Sequence, residues 1–474
     1  MDYKTFFKGK KITLMGLGLL GRGVGDAVFL ARMGAEVLVT DLKTEKELSP
    51  SVKRLQGFKN IRFHLGSHQF EDFRKCDFVL KAAGVSLDSP YIAEAKKHGI
   101  PVEMDASLFF KLMPHGVTFI GVTGTRGKTT TAYLIYEVLK KAERSNLTFG
   151  GGLTFRRGRR TYLVGNIKDT ATLPLLEKVR AGDVVVAELD SWQLQGFHDA
   201  KLSPQVAVFT TFLDDHLLYY RSTSLTASRE KYFADKTAIF KYQDVNDVLV
   251  VGAQAVARVL RARPPVQPIV AKKGDVAPNW KLKIIGEHNR YNAACALAVA
   301  RALRIPDEIS RKTLENFKGV SGRLEYLKEV RGVRIYNDNN ATTPDATLAA
   351  LKALREVGSK NTKLRKRIIL IMGGTDKGLD MSKLMAEIKK CCKGLILLKE
   401  TGTSKFLTLI HDSKFMIPKM VEGETLKECV TEAMNVAQRG DSILFSPAFA
   451  SFGKWFKNEY DRGEQFVKLV SSVK

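Results

Sequence analysis

Residues 117–139 read V-T-F-I-G-V-T-G-T-R-G-K-T-T-T-A-Y-L-I-Y-E-V-L. Val117, Phe119, Ile120 and Val122 form the short apolar run of a buried strand, and Ala132, Ile135, Val138 and Leu139 then recur at the three- and four-residue spacing of a helix. Between them lie Gly124, Thr125, Gly127, Lys128, Thr129 and Thr130. Glycines let backbone N–H groups close around phosphate oxygens, and the helix N-terminus adds partial positive charge. Lys128 has the reach for terminal phosphates, and the Thr129 hydroxyl suits a magnesium ion. This pattern predicts a nucleoside triphosphate site with a magnesium ion (Mg2+). The alternative is a glycine turn after a strand, carrying an ordinary surface lysine.

A chain of 474 residues is too long for one core of usual size, so two to four domains are expected. Hydrophobic content of 44% and charged content of 27% are those of a soluble globular protein. No apolar run approaches the length of a membrane span, and M-D-Y-K-T-F-F-K-G-K lacks the apolar centre of a signal peptide. A cytoplasmic protein without a membrane partner is expected. Five cysteines, an odd number without metal-ligand spacing, suit reduced thiols. The net charge of +26 would fit a nucleic-acid binder, yet the basic residues are spread along the chain with only short clusters, such as 156–160 and 363–367. Scattered basicity reflects genome composition more often than nucleic-acid binding, helped by small polyanionic substrates, so no nucleic-acid partner is expected.

Before the phosphate loop, residues 11–24 (K-I-T-L-M-G-L-G-L-L-G-R-G-V) place Gly16, Gly18 and Gly21 in dinucleotide-fold spacing, and a strand V-L-V-T ends at Asp41, twenty positions after Gly21. By motif alone this is an NAD site with Asp41 on a ribose hydroxyl, which would make the protein a dehydrogenase. Asp41 as a turn-forming acid at a strand end is the simpler alternative. After the loop, D-V-V-V-A-E-L ends in Glu188, a carboxylate where a buried parallel strand opens onto the crevice, which is where a hard cation finds oxygen ligands. His216 sits on another strand-end loop, L-D-D-H, beside an acid pair. Asn289 and Asn292 project from one face of an alanine-rich helix, as a hydrogen-bonding pair or an N-cap pair. Lys377, in the loop G-G-T-D-K-G, is placed to receive an anion. Residues 252–280 suggest a short helix followed by a loop, and a helix is expected from Glu424 to Gln438.

The loop T-G-T-R-G-K-T-T departs from the general phosphate loop, which has four residues between its glycines; Gly121 and Gly127 have five between them, and Gly124 and Gly127 two. In this form it resembles the loop of the Mur ligase family, which joins amino acids to cell-wall precursors using ATP, and of the related folylpolyglutamate synthetases. Motifs along essentially the whole chain carry the resemblance. It implies three α/β domains: an N-terminal Rossmann-like domain over 1–113 for a UDP-linked substrate, a central P-loop ATPase-type parallel sheet over 114–321, and a C-terminal Rossmann-like α/β domain over 322–474. The N-terminal nucleotide would then be UDP, approached by Gly18, Leu19, Leu20, Asp41 and the K-A-A-G-V-S loop with Gly84. Asn166 and Gln193 would face the sugar substrate. Lys128, Glu188, His216 and a carbamoylated Lys236 would form the catalytic group, with Thr129, Glu188, His216 and Lys236 around magnesium. Asn289, Asn292, Arg323 and Asp338 would hold adenine, phosphates and ribose.

The segment S-P-A-F-A-S-F-G-K-W-F-K-N-E-Y-D-R-G-E-Q-F at 446–466 resembles that of the D-glutamate-adding branch, which implies that Thr342, Lys377, Ser451, Phe452 and Tyr460 bind D-glutamate and that the acceptor is UDP-N-acetylmuramoyl-L-alanine. A cytoplasmic monomer is expected. The chain departs from the family pattern at Asp190 and Trp192, which replace a serine and a phenylalanine. It departs again at Leu218, at Gly322 where histidine is common, and at Asn340 where lysine is common.

Overall fold

The computed structural model describes residues 2–144, 159–167, 170–215, 219–220, 222–358, 366–412, 417–451 and 453–473. His216, Leu218 and Phe452 lie outside the described residues. The fold is α/β in three domains, each built on one sheet. The chain divides into two compact units, Met1–Asp275 with Ala294–Thr313, and Val276–Ala293 with Leu314–Lys474. The first unit holds two sheets and the second holds one. Val276–Ala293, within the central stretch expected from the sequence, groups with the C-terminal residues.

The first sheet is parallel throughout, in the order β3-β2-β1-β4-β5, from β1 (Lys11–Met15), β2 (Glu36–Asp41), β3 (Ile61–Leu65), β4 (Phe78–Lys81) and β5 (Val102–Glu103). The second is also parallel, ordered β11-β10-β9-β6-β8-β7. Its strands are β6 (Thr118–Thr123), β7 (Thr161–Gly165), β8 (Val184–Glu188), β9 (Val206–Phe209), β10 (Val248–Gly252) and β11 (Ile269–Ala271). β6 and β8 are buried along their whole length, as strands covered on both faces must be. β6 lies between β8 and β9, so later strands of the chain flank it on both sides, β7 and β8 on one and β9 to β11 on the other. The C-terminal ends of strands at such a reversal form the crevice where α/β proteins bind ligands. β11 lies where a loop was expected.

The third sheet is ordered β12-β13-β17-β14-β15-β16, from β12 (Glu325–Val330), β13 (Val333–Asn337), β14 (Ile368–Met372), β15 (Cys392–Leu398), β16 (Lys419–Gly423) and β17 (Ser442–Phe445). Its edge strand β12 runs antiparallel to β13, and the other pairings are parallel. Side chains alternate between two cores. Leu370, Met372, Leu395, Leu397 and Leu444 face one, and Ile369, Ile371, Ile396, Leu398, Ile443 and Phe445 the other. At about 1.5–3 kcal/mol for each fully buried aliphatic or phenyl side chain, these two layers dominate the stability of this sheet. The helix expected from Glu424 spans Leu426–Val436, because the Thr425 hydroxyl accepts the Glu428 N–H at 3.2 Å and so caps its start.

Candidate active site

β6 ends at Thr123, and the loop that follows is built by its glycines. Gly124 has φ +139°, and a Cβ there would run into the Thr210 hydroxyl and stand 2.8 Å from the Thr211 nitrogen. Gly127 has φ +86°, in the region that side chains disfavour, and Lys128 opens the helix Lys128–Arg144. The loop is pinned to the segment after β9. Thr125 N–H donates to the Thr211 carbonyl (2.7 Å), Arg126 N–H to the Thr211 hydroxyl (2.9 Å), and the Thr210 hydroxyl to the Arg126 carbonyl (2.6 Å). The Arg126 guanidinium pairs with Asp215 at 2.9 Å. Lys128 Nζ lies over its own loop, donating to the Gly124 and Thr125 carbonyls at 3.1 and 3.2 Å.

Two further candidates converge on this loop. Glu188 ends β8, paired in register with Val122 of β6. It is buried, and its Oε2 has no hydrogen-bond partner among the described residues. Lys236, on the helix Leu225–Thr237, is 1% exposed; its Nζ donates to the Gly124 carbonyl at 3.0 Å and lies 4.8 Å from the centre of the Tyr232 ring. Burial, and then the charge of Lys128, hold its amine well below the ordinary lysine range. The Tyr232 hydroxyl donates to the Thr125 hydroxyl at 3.3 Å.

The donor set fits magnesium. One oxygen of the buried Glu188 carboxylate has no partner among the described residues, and a hard cation takes such an oxygen together with hydroxyl, phosphate and water oxygens. Among the described residues no three His, Cys, Asp or Glu side chains cluster as a metal site by themselves. Gln193 is fully enclosed and forms a capping box with Asp190 on the helix Ser191–Asp199. Aspartate caps as well as serine, which accounts for Asp190 where relatives carry serine. Asn166 donates its N–H to the Glu188 carbonyl at 2.8 Å.

In the first sheet, the loop after β1 carries Gly16, Gly18 and Gly21, all at positive φ. Asp41, at the end of β2, organises it: Oδ2 accepts the N–H groups of Leu17 and Gly18 at 2.9 and 3.1 Å, and Oδ1 that of Lys43 at 3.0 Å. Leu19 is partly exposed at the loop tip. Sequence reasoning passed over Lys81. This buried lysine ends β4 beneath the turn that carries Gly84, donates to the Val85 carbonyl at 2.7 Å, and has its pKa lowered to about 8 by burial. The signal was there, a lysine closing the apolar run F-V-L just before a glycine turn.

In the second unit, Asp338 follows β13 and accepts the Leu324 N–H at 2.9 Å and the Ser446 hydroxyl at 2.8 Å; burial raises its pKa to about 7. Arg323, which precedes Leu324 in the chain, is exposed. Asn292 Nδ2 donates to Asn289 Oδ1 at 3.1 Å, and Asn289 Nδ2 to the Ile285 carbonyl at 2.9 Å. Two of the expected amino-acid residues meet, since Lys377 Nζ donates to the Thr342 hydroxyl at 3.2 Å. The loop that carries Lys377 is tied to the one bearing Ser451, because Thr375 and Ala450 exchange both backbone hydrogen bonds at 3.0 Å. Ser451 is buried and reaches Glu459 at 3.5 Å, and Tyr460, in the first turn of the last helix, donates its N–H to the capping Asn458 side chain. Two departures from the family pattern touch each other. Gly322, at φ +70°, leaves room for the Asn340 amide, which a Cβ would approach to 2.6 Å, and Asn340 N–H donates to the Gly322 carbonyl at 3.1 Å.

Comparison with known proteins agrees domain by domain. The family descriptions "Mur ligase MurD-like, N-terminal domain", "Mur ligase middle domain" and "Mur ligase, glutamate ligase domain" match residues 10–103, 122–270 and 322–449. The chain is 32% identical over 496 positions to the UDP-N-acetylmuramoylalanine--D-glutamate ligase of Roseiflexus sp. (strain RS-1), covering 98% of this chain and 99% of that one. It is 33% identical over 488 positions to the protein of the same name from Borreliella afzelii (strain PKo), covering 98% of each. In fold it is similar to the solved UDP-N-acetylmuramate-alanine ligase of Thermotoga maritima, with a TM-score of 0.61 at 21% identity over 98% of this chain and 100% of that one. With all three domains matched in order and the alignment running end to end, the chain belongs to the Mur ligase family.

Proposed function

We propose that this protein is an ATP-dependent ligase that adds D-glutamate to UDP-N-acetylmuramoyl-L-alanine in peptidoglycan synthesis, acting in the cytoplasm where ATP and UDP-sugars are found. The observation that carries this is the end-to-end similarity to ligases of that name. Residues 1–113 would hold the UDP-linked substrate, 114–321 the ATP phosphates, and 322–474 the amino acid and the ATP ribose. Asn289 and Asn292, expected near adenine, group with this last part.

A carboxylate is a poor electrophile at neutral pH, so it must be activated. An oxygen of the acceptor carboxylate attacks the terminal phosphorus of ATP, the bond to the bridging oxygen breaks, and ADP leaves. The D-glutamate amine then attacks the acyl carbon, the carbon–oxygen bond to phosphate breaks, and the nitrogen gives up a proton as the amide forms. Lys128 would exchange its two loop carbonyls for phosphate oxygens and follow the charge as it moves. Bound magnesium supplies charge neutralisation at the phosphates, and Thr129, Glu188, carbamoylated Lys236 and His216 are the residues that would hold it. Lys377, already on Thr342, would receive the D-glutamate carboxylate with Ser451, Phe452 and Tyr460 around it.

Asp41 would act on the UDP-linked substrate through the loop it shapes, alongside Gly18, Leu19, Leu20 and Gly84. Asp41→Ala removes the acceptor of three backbone N–H groups and is expected to raise the KM for the UDP-linked substrate on the order of 10-fold with little change for ATP. Steady-state kinetics in each substrate check it; equal losses in both would make Asp41 a folding residue. Lys377→Ala is expected to raise the KM for D-glutamate on the order of 10-fold or more, again sparing ATP. Equal losses would point to a structural lysine. The reading as a whole is tested by phosphate release with ATP, magnesium and UDP-N-acetylmuramoyl-L-alanine. Release is expected with D-glutamate and not with L-glutamate. Release that ignores the amino acid would sink it.

A further inference from the structure

Arg462 is among the largest side chains with no solvent exposure, and it is a cation. It lies on the helix Glu459–Ser472, and its hydrogen bonds run to backbone carbonyls: Nη2 to Asn339 at 2.7 Å, Nη1 to Phe449 and Ala450 at 3.3 Å each. Glu459, one turn earlier, supplies the favourable charge, while burial pushes the guanidinium pKa down to about 9, so it stays charged at neutral pH. A buried guanidinium costs stability that an apolar side chain of similar size would not. Packing alone gives no reason for it.

The surroundings are shaped to admit it. Gly374 has φ +147°, and a Cβ there would stand 3.3 Å from Arg462 Nη1. A Cβ on Gly463 would come within 2.6–2.9 Å of the Asn339 amide atoms, and Asn339 Nδ2 donates to the Glu459 carbonyl at 2.7 Å. Three loops therefore meet around one guanidinium: 338–342, which leads to Thr342; 373–377, which leads to Lys377; and 447–451, which leads to Ser451. Asp338 is held independently, by Ser446 and Leu324.

We propose that Arg462 is a positioning residue for the amino-acid substrate: its planar fork fixes the Asn339, Phe449 and Ala450 carbonyls and so sets Thr342, Lys377 and Ser451 at the spacing that an amino-dicarboxylate requires. This rests on the D-glutamate pocket proposed above. Because the anchors of Asp338 do not pass through Arg462, the nucleotide side is spared.

The test uses the full chain with Arg462→Ala and Arg462→Lys, measuring KM for D-glutamate and for ATP. The expected result is a D-glutamate KM raised on the order of 10-fold or more with the ATP KM nearly unchanged, and recovery of D-glutamate use in Arg462→Ala when millimolar guanidinium chloride is added. The lysine variant keeps the charge and loses the fork, so it reads the same split if the alanine variant does not fold. Parallel rises in both KM values, an unchanged D-glutamate KM, or failure of both variants to fold would overturn the proposal. Lys377→Ala run alongside separates the two readings. If Lys377→Ala spares D-glutamate, the pocket lies elsewhere; if it does not and the Arg462 variants do, only the clamp is wrong.

Discussion

Lys128→Ala is expected to lower turnover on the order of 100-fold or more while leaving the fold intact. The side chain is only partly buried, at the first turn of its helix, and the loop beneath it is fixed by other contacts: Thr125 and Arg126 N–H on Thr211, and Arg126 on Asp215. Removing the ammonium would therefore take charge stabilisation from a phosphoryl group transferred there without removing the loop. Single-turnover phosphate release together with a melting temperature would check it. Near-normal turnover would take this lysine out of the chemistry.

Lys236→Ala is expected to have an effect of similar size, on the order of 100-fold in turnover, for a different reason. A lysine enclosed to this degree, on a backbone carbonyl and close enough to Lys128 to feel its charge, is held toward its neutral amine. A neutral amine adds carbon dioxide, losing one proton to give a carbamate, and the repulsion from Lys128 becomes attraction. As pH falls toward the lowered pKa, protonation of the amine opposes the addition, so the modification is favoured on the alkaline side. A short carboxylate such as acetate, filling the space left by Lys236→Ala, is expected to restore part of the turnover. Unimpaired turnover in the variant would make Lys236 a packing group, and loss without rescue would leave it structural.

What could be read from the sequence follows from which residues carry a local signal. The strand, glycine turn and helix of 117–139 were legible because strand period, glycines and helix period adjoin there, and the strand-end place of Glu188 because β8 is an unbroken apolar run that ends in an acid. β11 was not. Its three residues follow Pro264, Pro265 and Pro268, and only pairing with β10 makes them a strand. β12 carries no clean alternation because it is a largely uncovered edge. Arg462 was hidden among 76 basic residues, since a buried cation looks like a surface one until the carbonyls around it are known.

The dinucleotide motif illustrates the converse. Gly16, Gly18, Gly21 and Asp41 match it in spacing, and the strand order of the first sheet suits it too. Yet the Asp41 carboxylate already accepts three backbone N–H groups of its own loops, which is the turn-forming role that the residue type allowed from the start.

By the proposed mechanism the terminal phosphoryl group of ATP passes to the acceptor's own carboxylate before the amide forms. Its most direct test is to label the carboxylate oxygens of UDP-N-acetylmuramoyl-L-alanine with heavy oxygen, run the reaction with ATP and D-glutamate, and weigh the released phosphate. An acyl phosphate predicts that each phosphate carries one labelled oxygen from the acceptor. Unlabelled phosphate, formed while the amide product accumulates, would contradict it.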